Sequence, residues 1–200
     1  PKEERFKVEL ITLDSQYRPD VQVQHYNAIK GKVLMIAQSL GTAHTNAILP
    51  QINEDKILTA AGSLSSDWPK QKYVVATGAT YPAQFINAAQ YLKDKGVSPK
   101  VGIIYQDDDY GQEVMEGGAA ALKELGMSYV ERTTYKRGAT DFSSQVAKMK
   151  DANCDIVVMG TIIRETIGTI GTARKRGWNP EFVGQTATYF DIIHKLGGPA

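Results

Sequence analysis

Two short segments combine hydroxyls with glycine where an extended run gives way to a helical one. In Gln38-Ser-Leu-Gly-Thr42, backbone N–H groups and hydroxyls converge at the positive end of a helix, an arrangement suited to a carboxylate or another small anion. Ala61-Gly-Ser-Leu-Ser-Ser66 repeats the situation after the next strand, with three more hydroxyls. Ordinary capping by Ser and Thr explains either segment alone equally well. Two such loops after neighbouring strands, both at the carboxyl end of a sheet, favour a shared ligand. Tyr110, which follows the strand of the next unit, is placed to cover that ligand from across a cleft.

Other chemistry has weaker support. Asp107-Asp-Asp109 directly follows a strand, where aspartates can hold Mg²⁺ or accept a phosphoryl group. No acidic pair ends another strand with matching spacing, so a solvated loop whose aspartates cap the next helix is the better reading. The sequence has no G-x-G-x-x-G, no G-x-x-x-x-G-K-[ST] and no G-x-S-x-G. His25, His44 and His194 are scattered, with no HExxH, and His25 and His194 read as surface positions on helices. The single cysteine, Cys154, cannot form an internal disulfide and reads as an inert, partly buried thiol. Arg174-Lys-Arg176 complements the last turn of a helix. No enzyme, metal or cofactor is expected.

The elements that must position these loops alternate. Strands are expected at Val8–Leu13, Lys32–Ala37, Ile57–Ala60, Tyr73–Ala76, Val101–Tyr105, Tyr129–Thr134, Ile156–Met159 and Phe182–Gly184. Helices are expected at Asp20–Ile29, Thr42–Asn53 (with Pro50 kinking or shortening it), Pro82–Lys95, Gly111–Leu125, Asp141 or Ser143 to Lys150, Arg164–Arg176 and Tyr189–Leu196. Gly126 and Gly177 stop two of them. Strand then helix, repeated, is the signature of an α/β fold with parallel sheets. Thr77-Gly-Ala-Thr80 interrupts the alternation and marks a boundary between two α/β units. The chain opens without Met and stops just after a helix, which is expected of a piece of a larger protein.

Composition agrees with a globular binder. The 200 residues carry 23 Lys+Arg against 22 Asp+Glu and are 42% apolar, which excludes wholesale disorder and leaves no basic face for nucleic acid. No apolar run approaches the roughly 18–20 residues that span a bilayer.

Val33-Leu-Met-Ile, Gly41-Thr42, Ile57-Leu-Thr-Ala-Ala-Gly-Ser-Leu-Ser, Val101-Gly-Ile-Ile-Tyr-Gln-Asp-Asp-Asp-Tyr-Gly111, Asp141-Phe-Ser143 and Arg176-Gly-Trp-Asn-Pro, in that order, carry a resemblance from about Val8 to Pro199. The chain resembles the type I periplasmic binding proteins of ABC importers, in the branch that serves branched-chain amino acids, amides, urea and aromatic acids. The resemblance implies two three-layer α/β/α lobes with parallel sheets, the first incomplete. Residues 1–78 would be part of the first lobe and 79–200 most of the second, with a hinge near 77–81. It further implies a small-molecule ligand, a membrane permease as partner, and a periplasmic or lipid-anchored extracellular location.

By the same resemblance, Thr42 matches the hydroxyl that contacts a ligand carboxylate, and Ser63, Leu64 and Ser65 match the next ligand-contacting loop. Tyr110 matches the second-lobe aromatic. Two positions depart from the leucine-binding members: Ile162 stands for an aromatic, and Gln185-Thr186 stands where a carboxylate faces the ligand's amino group. Without that carboxylate a buried ammonium is poorly compensated, so the expected ligand is a carboxylate or amide lacking an α-ammonium. A sensory ligand-binding domain of a receptor or regulator is the alternative function, and Mg²⁺-dependent phosphotransfer at Asp107–Asp109 a remote one.

Overall fold

Short β-branched runs separated by amphipathic ones can close a sheet only through crossovers, and every paired strand of this chain runs parallel. A computed structural model describes residues 7–94 and 98–196. The first sheet holds β1 (Met35–Ser39), β2 (Leu58–Ala61) and β3 (Val74–Val75) in the order β1-β2-β3. The second holds β4 (Val101–Gln106), β5 (Tyr129–Tyr135), β6 (Ile156–Gly160) and β7 (Glu181–Gly184) in the order β5-β4-β6-β7. Helices α1 (Pro19–Ile29) and α2 (Thr42–Asp55) accompany the first sheet. With the second go α3 (Tyr81–Asp94), α4 (Asp109–Glu124), α5 (Ser143–Asp151), α6 (Ile163–Lys175) and α7 (Ile192–Leu196).

The second unit is three-layered because its central strands are apolar on both faces. Ile103 and Val158 pack under α3 and α4 through Phe85, Leu92, Val114 and Leu122. Ile104, Val157 and Met159 pack under α5 and α6 through Val146, Met149 and Ala173. Cys154 lies in this second layer, where burial pushes its thiol up to about 11, so it is protonated and unreactive. The first sheet is covered on one face. Ile36, Thr59 and Val74 stand in register and are buried, with Tyr26, Ile48 and Ile52 in the same core. Met35, Leu58 and Val75 point the other way and are exposed. Among the described residues this unit therefore has two layers, in keeping with the expectation of an incomplete first lobe.

Three expected elements differ. Val8–Leu13 alternates as a strand does, yet it joins no ladder among the described residues and its Val8 is 77% exposed. A strand exists only where a neighbour accepts its hydrogen bonds. Strand β1 starts at Met35 rather than Lys32, because the Lys32 N–H closes a turn onto the Ile29 carbonyl at 2.8 Å. The helix expected from Tyr189 is delayed to Ile192, since Gln185 caps a 3₁₀ turn at Thr186–Thr188 first. Lys95 and Pro199 lie outside the described residues.

The β4–α4 junction is sterically tight. Asp108 caps α4, its Oδ1 accepting from the Gly111 N–H at 3.0 Å, so the aspartate run serves the helix as capping predicts. A Cβ on Gly111 would lie 1.9 Å from the Gln106 carbonyl oxygen, a backbone atom that cannot step aside. Gly111→Ala is expected to destabilise the protein by about 2–3 kcal/mol in denaturant unfolding. Gly126→Ala, where φ is +69° and the space is open, should cost only about 1 kcal/mol.

Candidate functional site

Strands β5 and β6 lie on opposite sides of β4, so the loops leaving the carboxyl ends of β4 and β6 part and open a crevice. The carboxyl ends of both sheets face one cleft of about 1150 Å³. Tyr17, Gln38, Leu40, Gly41, Thr42, Ser63 and Leu64 line it from the first unit. Tyr81, Tyr110, Arg137, Ile162, Glu165, Thr186 and Phe190 line it from the second.

On the first side, α2 begins with no side chain capping it, and Gly41 precedes it at φ +96°. A Cβ there would lie 2.2 Å from His44 Nδ1, so glycine is required twice over. Thr42 is 3% exposed and its hydroxyl has no hydrogen-bond partner among the described residues. The His44 ring lies 4.2 Å from Tyr17 between centroids; burial lowers its pKa, opposed by the Tyr17 backbone, so it is neutral at pH 7. The Ser63 hydroxyl accepts from the Trp68 indole at 3.1 Å. The Ser65 hydroxyl accepts from the Asp67 N–H at 3.2 Å.

The opposite wall is firmly tied. Tyr110 is 2% exposed; its hydroxyl donates to the Thr161 carbonyl at 2.9 Å and accepts from the Gln185 amide. Its ring meets that of Tyr81 edge-on at 5.1 Å. The Gln185 carbonyl oxygen accepts from the Ala187 N–H at 2.8 Å, so both ends of this side chain are engaged. The Thr186 hydroxyl donates to Gln84 at 2.8 Å. Arg137 reaches across from the β5–α5 loop, donating to the Gln16 carbonyl and lying 4.6 Å from the Tyr17 ring centre. Glu165, in the first turn of α6, is 3% exposed, and its Oε2 has no hydrogen-bond partner among the described residues.

The cleft thus gathers Thr42, Ser63, Leu64, Tyr110, Ile162 and Thr186 from the residues expected on sequence. Ser65 faces instead a neighbouring acidic pocket of about 540 Å³ with Asp107, Asp108, Asp109, Glu113 and Glu116. Tyr110 forms the floor of the cleft more than a flap over it. Sequence reasoning missed Tyr17, Arg137 and Glu165. Glu165 carried a signal, an acidic residue just past the carboxyl end of a strand. Its presence removes the premise that the cleft offers a ligand no carboxylate.

The model of the family described as "Periplasmic binding protein" matches residues 4–200. The chain belongs to the periplasmic binding protein family. Among curated relatives of this periplasmic binding protein is an amino acid binding protein of Pseudomonas aeruginosa, 26% identical over 117 residues that make up 58% of this chain and 31% of that protein. A fatty acid ABC transporter substrate-binding protein from Thermomonospora curvata superposes with a TM-score of 0.88 at 27% identity, covering 94% of this chain and 49% of that one. A branched chain amino acid ABC transporter from Thermus thermophilus with bound valine shares the fold, with a TM-score of 0.83 at 19% identity over 92% of this chain and 50% of that one. The chain therefore spans about half the length of these solved structures, and its match less than a third of the curated relative.

In this periplasmic binding protein, burial raises the pKa of Glu165 above the ordinary carboxylate value. The backbone N–H groups of Glu165 and Gly138 and the charges of Arg164 and Arg137 oppose that rise without cancelling it. Tyr17 and Tyr135 also face it, and burial pushes Tyr17 up to about 12, so neither supplies charge at neutral pH. With the folded pKa above the unfolded one, the stability that protonated Glu165 allows is complete below about pH 4 and is lost as pH rises through the folded value. Glu165→Gln is therefore expected to raise the melting temperature at pH 7. Calorimetric melting across pH should show that gain vanish near pH 4.

Proposed function

We propose that this protein is the extracytoplasmic solute receptor of an ABC importer and binds a small carboxylate- or amide-type ligand, an amino acid or an aliphatic or aromatic acid, without chemical change. One observation carries the reading. A buried, partnerless Thr42 hydroxyl stands at the uncapped N-terminus of α2, inside the cleft that the carboxyl ends of both sheets share. A helix N-terminus attracts negative charge, and an unused buried hydroxyl adds a donor.

Residues 1–78 and 79–200 act as the two lobes, and the crossing near 77–81 serves as the hinge. Thr42, Ser63 and Leu64 hold the polar head from the first lobe. Ile162 and Tyr110 flank the apolar body from the second, and Thr186 borders it. Leu40, Ile163, Ile167 and Phe190 extend that apolar wall, which suits a ligand with a hydrocarbon or aromatic body. The names of the Thermomonospora and Thermus neighbours, one a fatty acid and one a branched-chain amino acid transporter component, are compatible with such a body. No helix of the described residues is long and apolar enough to cross a membrane, so a permease would have to be a separate chain or segment.

Titration calorimetry of the intact protein against amino acids, aliphatic acids, aromatic acids and amides tests the proposal. At least one carboxylate or amide should bind, and Thr42→Val should weaken it by about 10–100-fold, the loss of one charge-assisted hydrogen bond. Binding untouched by Thr42→Val would move the head group elsewhere.

A further inference from the structure

We infer that Glu165 selects the ligand's head group from the second lobe, accepting an ammonium or amide N–H while Thr42 serves the acceptor end; the inference rests on the binding role proposed above. Most buried polar groups of the cleft are engaged. The Tyr110 hydroxyl is bonded to Thr161 and Gln185, Thr186 to Gln84, and the Ser63 hydroxyl to Trp68. Among the described residues, two buried side-chain atoms that line the cleft have no hydrogen-bond partner, Thr42 Oγ1 and Glu165 Oε2. His44 sits behind Gly41 against Tyr17 and is not part of the cleft wall.

The two leftover groups differ in chemistry. A hydroxyl can donate to an anion or a carbonyl, whereas a carboxylate can only accept. A buried acceptor without a donor costs about 1–3 kcal/mol, more when charged, and a bound donor recovers that cost. The backbone N–H groups of Glu165 and Gly138 act on this carboxyl, yet Oε2 keeps no partner among the described residues, where neither Arg137 nor Arg164 forms an ion pair with it and Arg137 is engaged with Gln16 and Tyr17. The Gln185 position cannot supply the acceptor in its place, because its amide holds Tyr110 and its carbonyl holds the Ala187 N–H. The free acceptor that the cleft offers a head group therefore lies in the first turn of α6. A ligand with both an acceptor and an N–H donor on its head satisfies the two groups together. A simple acid satisfies only Thr42.

The test compares matched pairs on the intact protein by titration calorimetry: L-leucine with 4-methylpentanoate, and L-phenylalanine with 3-phenylpropanoate. Wild type should bind the amine-bearing member of a pair more tightly. Glu165→Gln should weaken that member by about tenfold or more while changing its des-amino partner by less than about threefold. Glu165→Asp should restore part of the difference. Because Glu165→Gln is expected to melt higher than wild type at pH 7, a lower melting temperature would show a structural role for the carboxylate and count against the assignment. Equal losses for both members, or a wild-type preference for the des-amino acid, would overturn it and leave the binding role standing. No binding by either pair, together with no effect of Thr42→Val on any ligand, would overturn the binding role and this assignment with it.

Discussion

A parallel sheet must carry its chain back through a helix after every strand, and that one requirement arranges everything else in this molecule. All carboxyl strand ends then lie on one side, together with the N-termini of the helices that follow them. Both sheets obey it, and both turn that side to the same cleft. The loops after β1, β2, β5, β6 and β7 reach it, and after β4 the first turn of α4 does so through Tyr110. The positive ends of α2 and α6 arrive there as a consequence of topology, before any particular side chain is chosen.

On this frame the walls divide into groups that hold the structure and groups left for a ligand. Tyr110, Gln185, Thr161 and Tyr81 form a closed set of hydrogen bonds and an edge-on ring contact, which fixes the floor. The Asn46 amide donates to Asp109 at 2.9 Å and the Ser66 N–H to Glu113, tying the two units beside the acidic pocket. Thr42 and Glu165 are the exceptions to this satisfaction, and both lie where the topology puts a binding crevice. Buried polar groups left unpaired weaken an empty protein, and binding sites are where that weakness is commonly kept.

The architecture was legible in the sequence because period-two and helical patterns alternate cleanly from Met35 onward. Val8–Leu13 misled because alternation shows that a segment can be a strand, not that a partner lies beside it. The first layer beyond β1 is likewise a matter of what packs there, which no local pattern encodes. The hydroxyl loops were legible as strand ends, but two positions along a loop change direction: Ser63 reaches the cleft and Ser65 the acidic pocket. Gln185 looked like a lost carboxylate and is in fact the brace behind Tyr110. Glu165 escaped notice because an acidic residue in a first turn ordinarily serves the helix dipole; only its burial and its unpaired oxygen set it apart.

The central claim is that this cleft, at the carboxyl ends of both sheets, is where the ligand is held. Amide hydrogen exchange by mass spectrometry on the intact protein, with and without saturating L-leucine or 4-methylpentanoate, measures it most directly. The account predicts slowed exchange concentrated at residues 40–45, 62–66 and 161–167, the first turns and loops that line the cleft. Protection that spared these segments and appeared instead around Phe85–Leu92, on the apolar depression beneath α3, would contradict it.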